Sequence, residues 1–403
     1  MFYELLMAKA RKQKQQDYIE LEYIGNTSTS YIFFPLVTAG KDIVEIEYEA
    51  QFTRLDVQQA EIKNGFPYFF IGCMANSVWY AGCTNYGNST VKADKNWHKF
   101  KLVSYGDDNG FWLDGERIYQ GGVTTAVFLP EGFRLWIGQG GSRNTYNRKK
   151  YVKVKVNGQL VYDLIPVLDK DLEPCLYDKV SGQYFYNQGG GEFEWKLPNQ
   201  LEYIRTTDDS YTIIDVITDG SYTIEAKCRA VSIPDNTVRC FGGYMWQGDS
   251  SIYNNPRSSI GCYNKRWHVG YNKTGQAGTC DTNLHVFKLV EFLKFGEDFN
   301  ADYFSVDGEQ LAISHGSTVD FYSNTKRNWA IGGRIQSAGF KNPLDAEHYY
   351  WKFWDGNDKL VAYIIPVFDE NLTPCMYDLV SKKYFYNIGT GQFKGPDDNS
   401  LIV

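Results

Sequence analysis

Residues Ile165 to Phe193 read IPVLDKDLEPCLYDKVSGQYFYNQGGGEF, and Ile365 to Phe393 read IPVFDENLTPCMYDLVSKKYFYNIGTGQF, with 18 of 29 positions identical. Each copy is an apolar run, a polar turn and a hairpin with aromatics on its returning strand. Working outward, Leu21-Glu22-Tyr23-Ile24 recurs as Leu201-Glu202-Tyr203-Ile204. Trp97-His98-Lys99-Phe100-Lys101-Leu102-Val103 answers Leu284-His285-Val286-Phe287-Lys288-Leu289-Val290, and Asp114-Gly115 answers Asp307-Gly308. The offset grows from 180 at Leu21/Leu201 to 187 at His98/His285, 193 at Asp114/Asp307 and 200 at Ile165/Ile365. Insertions therefore fall between matched blocks, where surface loops diverge on a retained core. A period this long means two copies of a whole domain. Solenoid repeats run only ~20–50 residues.

The pattern between the blocks is β. In Ile43 to Phe52, Val44, Ile46 and Tyr48 alternate with Glu45, Glu47 and Glu49, and Tyr222 to Cys228 alternates likewise. Alternation at period two marks a half-buried strand. Asp114-Gly115, Asp307-Gly308, Asn157-Gly158 and Asp355-Gly356 sit between such runs, and these pairs favour tight hairpin turns. The aromatic content of 16%, with 31 Tyr and 38 Gly, suits short strands joined by tight turns. Turn signals every ~8–12 residues predict a sandwich. The reading is an arm at 1–17, one domain at 18–198 and a second at 199–403, joined by Trp195-Lys196-Leu197-Pro198-Asn199-Gln200.

In residues 1–17, Phe2, Tyr3, Leu5, Leu6 and Met7 precede the cations Lys9, Arg11, Lys12 and Lys14. That order is the reverse of a secretory leader, and it predicts an arm in which Phe2, Tyr3, Leu5 and Leu6 dock on another protein. A net charge of −7 with 22% charged residues argues against nucleic acid as partner. No apolar stretch reaches the ~18–20 residues of a membrane span, so no membrane partner is expected. Eight Cys without a CxxC pair predict thiols in a reducing compartment and no zinc site. Cys73 and Cys83 are spaced to close a hairpin disulfide only in an exported protein.

The order of blocks resembles the concanavalin A-like, or laminin-G-like, jelly roll. The residues that carry the resemblance are the opening Leu-Glu-Tyr-Ile, the His98 and His285 strands, the Asp-Gly hairpins and the closing signature. The resemblance covers nearly all of 18–396, twice. The closing signature is similar to a module common in gut-bacterial surface proteins and in structural proteins of phages that infect gut bacteria. The fold class expected is therefore all-β, two tandem jelly-roll sandwiches behind a short N-terminal arm. Such folds serve as lectins, glycosidases, adhesion domains and virion decoration alike.

Glu45, Glu47 and Glu49 share a strand face. Alternate residues lie about 6.6 Å apart, within reach of the carboxylate separations that glycosidases use, roughly 5–9.5 Å. The second copy reads Thr223, Glu225 and Lys227 at those places, so the face reads as solvated. His98 and His285 are equivalent, but no recurrent acid or nucleophile elbow accompanies them in the sequence, and a structural role is expected. Asp107-Asp108-Asn109 offers oxygen ligands of the kind calcium takes, and it is also an ordinary polar turn; no metal is assigned. Trp79-Tyr80 and Tyr244-Met245-Trp246 are turn aromatics of a kind that stacks on sugars, but core or interface packing is the role expected of them. Gly138-Gln139-Gly140-Gly141 lacks the Lys-Ser/Thr of a phosphate loop.

Catalytic residues, cofactors and metals are thus expected to be none. The leading expectation is a phage virion component, an accessory capsid, head-fibre or tail protein assembled in a bacterial cytoplasm. It would attach to other virion proteins through the arm within a large symmetric or homo-oligomeric assembly, and host-surface glycans are a further partner. The alternative is a carbohydrate-binding module of a gut-bacterial surface protein. A jelly-roll glycosidase is third.

Overall fold

The computed structural model describes residues 17–396 except 28, 40–41, 65–67, 75–77, 105–107, 121–131, 137–144, 208, 217–221, 234–236, 246–256, 272, 292–302, 312–326, 337–338 and 342. The arm residues Phe2, Tyr3, Leu5 and Leu6 lie outside the described residues, as do Asp107, the 138–141 glycine run and Trp246. Every regular element among the described residues is a strand. The chain divides into two compact units between Pro198 and Asn199.

Domain 1 is built on a sheet whose path runs Glu116–Tyr119, Gly110–Leu113, Trp97–Val103, Val44–Phe52, Asn147–Val156, Gln159–Leu168, Pro174–Asp178, Tyr184–Phe185. The corresponding path in domain 2 runs Glu309–Leu311, Tyr303–Val306, Leu284–Glu291, Tyr222–Ala230, Ala346–Asp355, Leu360–Phe368, Pro374–Asp378, Lys383–Phe385. The order is the same in both. In each, the alternating strand near the start of the domain lies between two strands that come much later in the chain. That crossing connection is what makes a jelly roll instead of a meander. Antiparallel sheets cover the other side of each core. In domain 1 these are Gln59–Asn64, Tyr68–Cys73 and Val78–Lys92, with the pair Phe133–Leu135 and Ile32–Phe34. In domain 2 a six-stranded sheet does so, formed from Thr212–Val216, Arg327–Ile331, Arg239–Met245, Arg257–Tyr263, Arg266–Tyr271 and Lys273–Ala277.

Alternation on Val44–Phe52 sends Val44, Ile46, Tyr48, Ala50 and Phe52 into one core with Phe100, Leu102, Phe111, Trp79 and Trp136. Tyr222–Ala230 does the same with Ile224, Ala226 and Cys228, against Phe287, Leu289, Trp329 and Trp351. Burying a side chain of this size stabilises by roughly 1.5–3 kcal/mol, so each domain carries a core of its own.

The turns follow their sequences with one exception. Asp114 and Gly115 (φ 50° and 88°), Asp307 and Gly308 (52° and 82°), and Asn157 and Gly158 (51° and 79°) take the left-handed pairs of two-residue hairpins. Asp355-Gly356 does not. There the turn extends to Lys359, Asp358 takes the positive φ of 57°, and Asp355 Oδ1 accepts from the N–H groups of Asn357 and Lys359. The interdomain segment is also shorter than its composition suggests. Phe193–Lys196 is a strand paired with Tyr23–Asn26, and Gln200 already bridges to Val367.

Two further expectations are corrected. Trp79 and Tyr80 lie in the strand Val78–Lys92 and not in a turn, and they are buried, in keeping with the packing role expected of them. Cys262 and Cys280, on neighbouring parts of domain 2, are joined as a disulfide. Cys73, Cys175, Cys228, Cys240 and Cys375 are buried thiols, and burial pushes the thiols of Cys73 and Cys175 up to about 12. The side chain of Cys83 lies outside the described residues.

Candidate binding surface

The shared signature is explained by hydrogen bonds that shape one hairpin. Asp178 Oδ1 accepts from the N–H of Asp163 and Val180, and its Oδ2 accepts from Ser181 N–H and Oγ. Asp378 repeats this with Tyr363, Val380 and Ser381. Asp169 Oδ1 caps the preceding turn through Asp171 and Glu173, as Asp369 does through Asn371 and Thr373. Asn187 and Asn387 each accept from a backbone N–H near the opposite end of the domain, Tyr31 and Tyr211, at 3.1 and 2.9 Å. Local side-chain bonds of this kind fix turns that apolar packing alone leaves free.

What the hairpin presents is a row of tyrosines at the edge of the main sheet. In domain 2 the ring centroids of Tyr377 and Tyr384 are 4.8 Å apart, and Tyr384 and Tyr386 are 6.4 Å apart at an interplanar angle of 28°. Domain 1 matches it, with 5.0 Å between Tyr177 and Tyr184 and 6.3 Å between Tyr184 and Tyr186. Tyr386 donates to Asp369 Oδ2 at 3.1 Å and Tyr186 to Asp169 Oδ2 at 2.9 Å, which pins the outer ring of each row. Desolvation first, then the aspartate, raises the pKa of both outer phenols, so they stay neutral.

The two rows differ in cover. Tyr18 of domain 1 lies over its row, 4.7 Å from Tyr177 and 6.5 Å from Tyr184. Pro198 stands at the matching sequence position before domain 2. The inner ring is where the rows differ: Tyr184 is half-buried and Tyr384 is 41% exposed, while the outer rings Tyr186 and Tyr386 are 37% and 45% exposed; Ile388 at 56% and Leu372 at 76% are exposed in the same closing segment.

The histidines are brought to acids that the sequence reading missed. His98 Nδ1 lies 2.6 Å from Asp114 Oδ2 and Nε2 lies 2.9 Å from Asp94 Oδ1. His285 repeats this with Asp307 at 2.6 Å and Asp281 at 2.8 Å. The second oxygen of the turn aspartate accepts a backbone N–H, from Lys99 or Val286, at 2.8 Å. Trp79 and Trp267 pack edge-on against the two imidazoles. Burial works against the imidazolium in each, but the paired carboxylates outweigh it and raise the histidine pKa. All four partner aspartates are held below the usual carboxylate range. Each imidazole is spanned by two carboxylates and faces no nucleophile in these contacts, so the arrangement is a clamp between a strand and its hairpin.

The carboxylate face is occupied by cations, not by water alone. Glu45 Oε1 lies 2.7 Å from Lys155 and its Oε2 3.1 Å from Lys101. Glu49 pairs with Lys150 at 2.7 Å, and Glu47 accepts from Tyr151 Oη at 3.1 Å. Asp108 is exposed beside Arg117 while Asn109 is buried, so the two do not converge on one ion. No group of three His, Cys, Asp or Glu able to hold a metal exists among the described residues. No helix among them is long and apolar enough to cross a membrane.

A second buried feature also escaped the sequence reading. Lys149 and Glu61 form an ion pair inside domain 1, 2.8 Å apart and with no side-chain exposure. Three successive basic residues, Arg148, Lys149 and Lys150, look like a solvated strand, and only the register shows that the middle one faces inward.

No protein-family model and no curated protein matches the chain. Several solved structures are similar to it. One is the mouse laminin alpha1 chain, domains LG4-5, at 12% identity and a TM-score of 0.29, covering 87% of this chain and 92% of that one. Another is a "putative carbohydrate binding protein" from Bacteroides ovatus ATCC 8483, at 12% identity and 0.34, covering 95% of each. The LG1-3 region of the laminin alpha2 chain matches at 10% identity and 0.28, over 93% of this chain and 65% of that one. The assignment of the fold rests on the strand order and pairing described above.

Proposed function

We propose that the chain is a carbohydrate-binding, adhesion-type protein whose contact surface is the tyrosine row of domain 2. The observation that carries this is Tyr384 and Tyr386, side by side and half exposed on a hairpin held rigid by Asp369, Asp378 and Asn387. A neutral, pinned phenol ring offers a flat apolar face with a polar rim. That is the surface on which the C–H face of a pyranose stacks while its hydroxyls stay in water. Action is by binding, with no bond broken. Glu45 and Glu49, the carboxylates that a glycosidase reading needs, are each neutralised by lysine.

The finer reading, a phage virion component attached through Phe2, Tyr3, Leu5 and Leu6, ranks behind this one. Its support is the sequence signature and an arm outside the described residues, whereas the tyrosine row is in view. The two are compatible if the arm attaches the protein to a larger assembly and domain 2 meets a host-surface glycan.

The test is a glycan array with the full chain, followed by titration of the best ligand. Each stacked ring contributes about 1 kcal/mol, so Tyr384→Ala with Tyr386→Ala is expected to weaken binding at least about tenfold. Tyr184→Ala with Tyr186→Ala, on the row that Tyr18 covers, changes it less. Absence of any glycan ligand, or undiminished binding by the domain 2 double variant, overturns the assignment. Removal of residues 1–17 leaves glycan binding intact on this reading.

A further inference from the structure

Lys149, Asn147 and Glu61 meet in the interior of domain 1, all three fully buried. Lys149 Nζ lies 2.8 and 3.0 Å from the two oxygens of Glu61, and 2.5 Å from Asn147 Oδ1. Asn147 Nδ2 donates to Glu61 Oε1 at 3.2 Å. One carboxylate therefore touches both an amine and the nitrogen of a carboxamide, and the amine touches that same carboxamide. Asn147 and Lys149 alternate on one strand, which puts both side chains on the core face.

Glu61 is held from its other side. Tyr48 Oη donates to Oε1 at 2.7 Å and Trp136 N–H donates to Oε2 at 3.1 Å. The rings of Tyr48 and Trp136 lie 4.8 and 4.7 Å from Nζ. The backbone around the carboxylate is strained. Ile62 next to it and Trp136 above it both sit at positive φ, 63° and 67°, a region costly for such residues and frequent at functional sites. Domain 2 keeps neither the amine nor the carboxamide nor the phenol at the matching register: Ala346 stands for Asn147, His348 for Lys149 and Ala226 for Tyr48.

We propose that Lys149 and Asn147 join in an intramolecular isopeptide bond, with Glu61 carrying the proton. Lys149 first passes a proton to Glu61, which removes two buried charges at once. The neutral Nζ attacks Cγ of Asn147, the Nζ–Cγ bond forms and the Cγ–Nδ2 bond breaks. Of the three protons on the starting ammonium, one stays on the new amide and one leaves with Nδ2 as ammonia. The third remains on the Glu61 carboxyl. No oxidant, reductant or cofactor is needed. Desolvation, opposed by Glu61, brings the Lys149 pKa down to about 8, which eases the first transfer. An uncharged secondary amide then replaces the ion pair, and departure of ammonia makes the step one-way.

The experiment is the intact mass of the full chain under denaturing conditions, followed by tandem mass spectrometry of a tryptic digest. The expected mass is that of the sequence less one ammonia. The peptide ending at Arg148 is expected to stay joined through Asn147 to the peptide beginning at Lys149. Glu61→Gln, which keeps size and shape, is expected to show the full sequence mass, its folding checked by circular dichroism. A wild-type mass equal to the sequence overturns the proposal. So does ammonia loss that maps to a succinimide at Asn147 with Lys149 free.

Discussion

His348 holds in domain 2 the register position that Lys149 holds in domain 1. It is fully buried and packs against Phe241 and Trp351. Its Nε2 meets Thr206 Oγ1 at 3.0 Å, and Trp351 Nε1 donates to its Nδ1 at 3.3 Å. With no carboxylate partner there, desolvation brings its pKa down to about 3. A histidine titrates near 6.5 when unfolded. The unfolded chain therefore binds a proton between pH 6.5 and 3 that the folded domain refuses, so stability falls as pH falls through that window. The full difference is roughly 4–5 kcal/mol, enough to matter against a typical domain stability of ~5–15 kcal/mol. Domain 2 is expected to lose protection before domain 1 when hydrogen exchange is followed from pH 7 to 4. His348→Gln is expected to flatten that dependence, and an unchanged slope in the variant counts against the account. Nothing in a single sequence separates such a buried imidazole from an exposed one. The signal is the strand register, which places His348 on the inner face by way of the bulge between Lys227 and Cys228.

At the scale of elements, the two Asp–His–Asp clamps tie a strand start to the hairpin that follows it. Their pH dependence has two arms. The raised histidine pKa contributes stability that is fully present below about pH 6.5 and is lost as pH rises through the folded value. The lowered aspartates contribute stability that is present above about pH 3.9 and is lost as pH falls through their folded values. His98→Gln with His285→Gln is expected to remove the alkaline decline in the urea midpoint. Asp114→Ala or Asp307→Ala is expected to destabilise by about 1–2 kcal/mol, since each loses a backbone hydrogen bond and an easily left-handed residue. Asp→Asn at the same places should recover the turn but not the pH dependence. The clamp was in fact written in the sequence. Asp94-Lys95-Asn96-Trp97-His98 matches Asp281-Thr282-Asn283-Leu284-His285, and an Asp-Gly pair follows each. It escapes notice because the Asp-Gly pair is already accounted for by its turn. Only strand pairing shows that an aspartate 16 or 22 residues onward returns to the imidazole. The tyrosine row was half legible in the same way. Its residues are plain in the closing signature, but the exposure of the inner ring depends on Tyr18, a residue outside the repeat.

For the whole molecule, alternation and turn pairs carried the fold class, because both are local. The sheet order was not local: Val44–Phe52 pairs with Asn147–Val156 across roughly a hundred residues, and such long-range pairing leaves no mark in a short window. The two domains share this order while filling it differently. Domain 1 centres on Glu61, Asn147 and Lys149, and domain 2 on a neutral histidine and the Cys262–Cys280 bridge. That difference makes the domains separable by chemistry. The bridge spans 18 residues, and closing a loop of that size stabilises by about 3 kcal/mol in the chain-entropy account. In domain 1, Cys73 and Cys175 are buried free thiols. Reductant is therefore expected to lower the urea midpoint of residues 199–403 and leave that of residues 18–198 in place, with the two resolved by hydrogen exchange along the same chain. Cys262→Ser with Cys280→Ser is expected to reproduce the loss without reductant. Equal loss in both domains would mean that stability is held in common and that each core does not stand on its own.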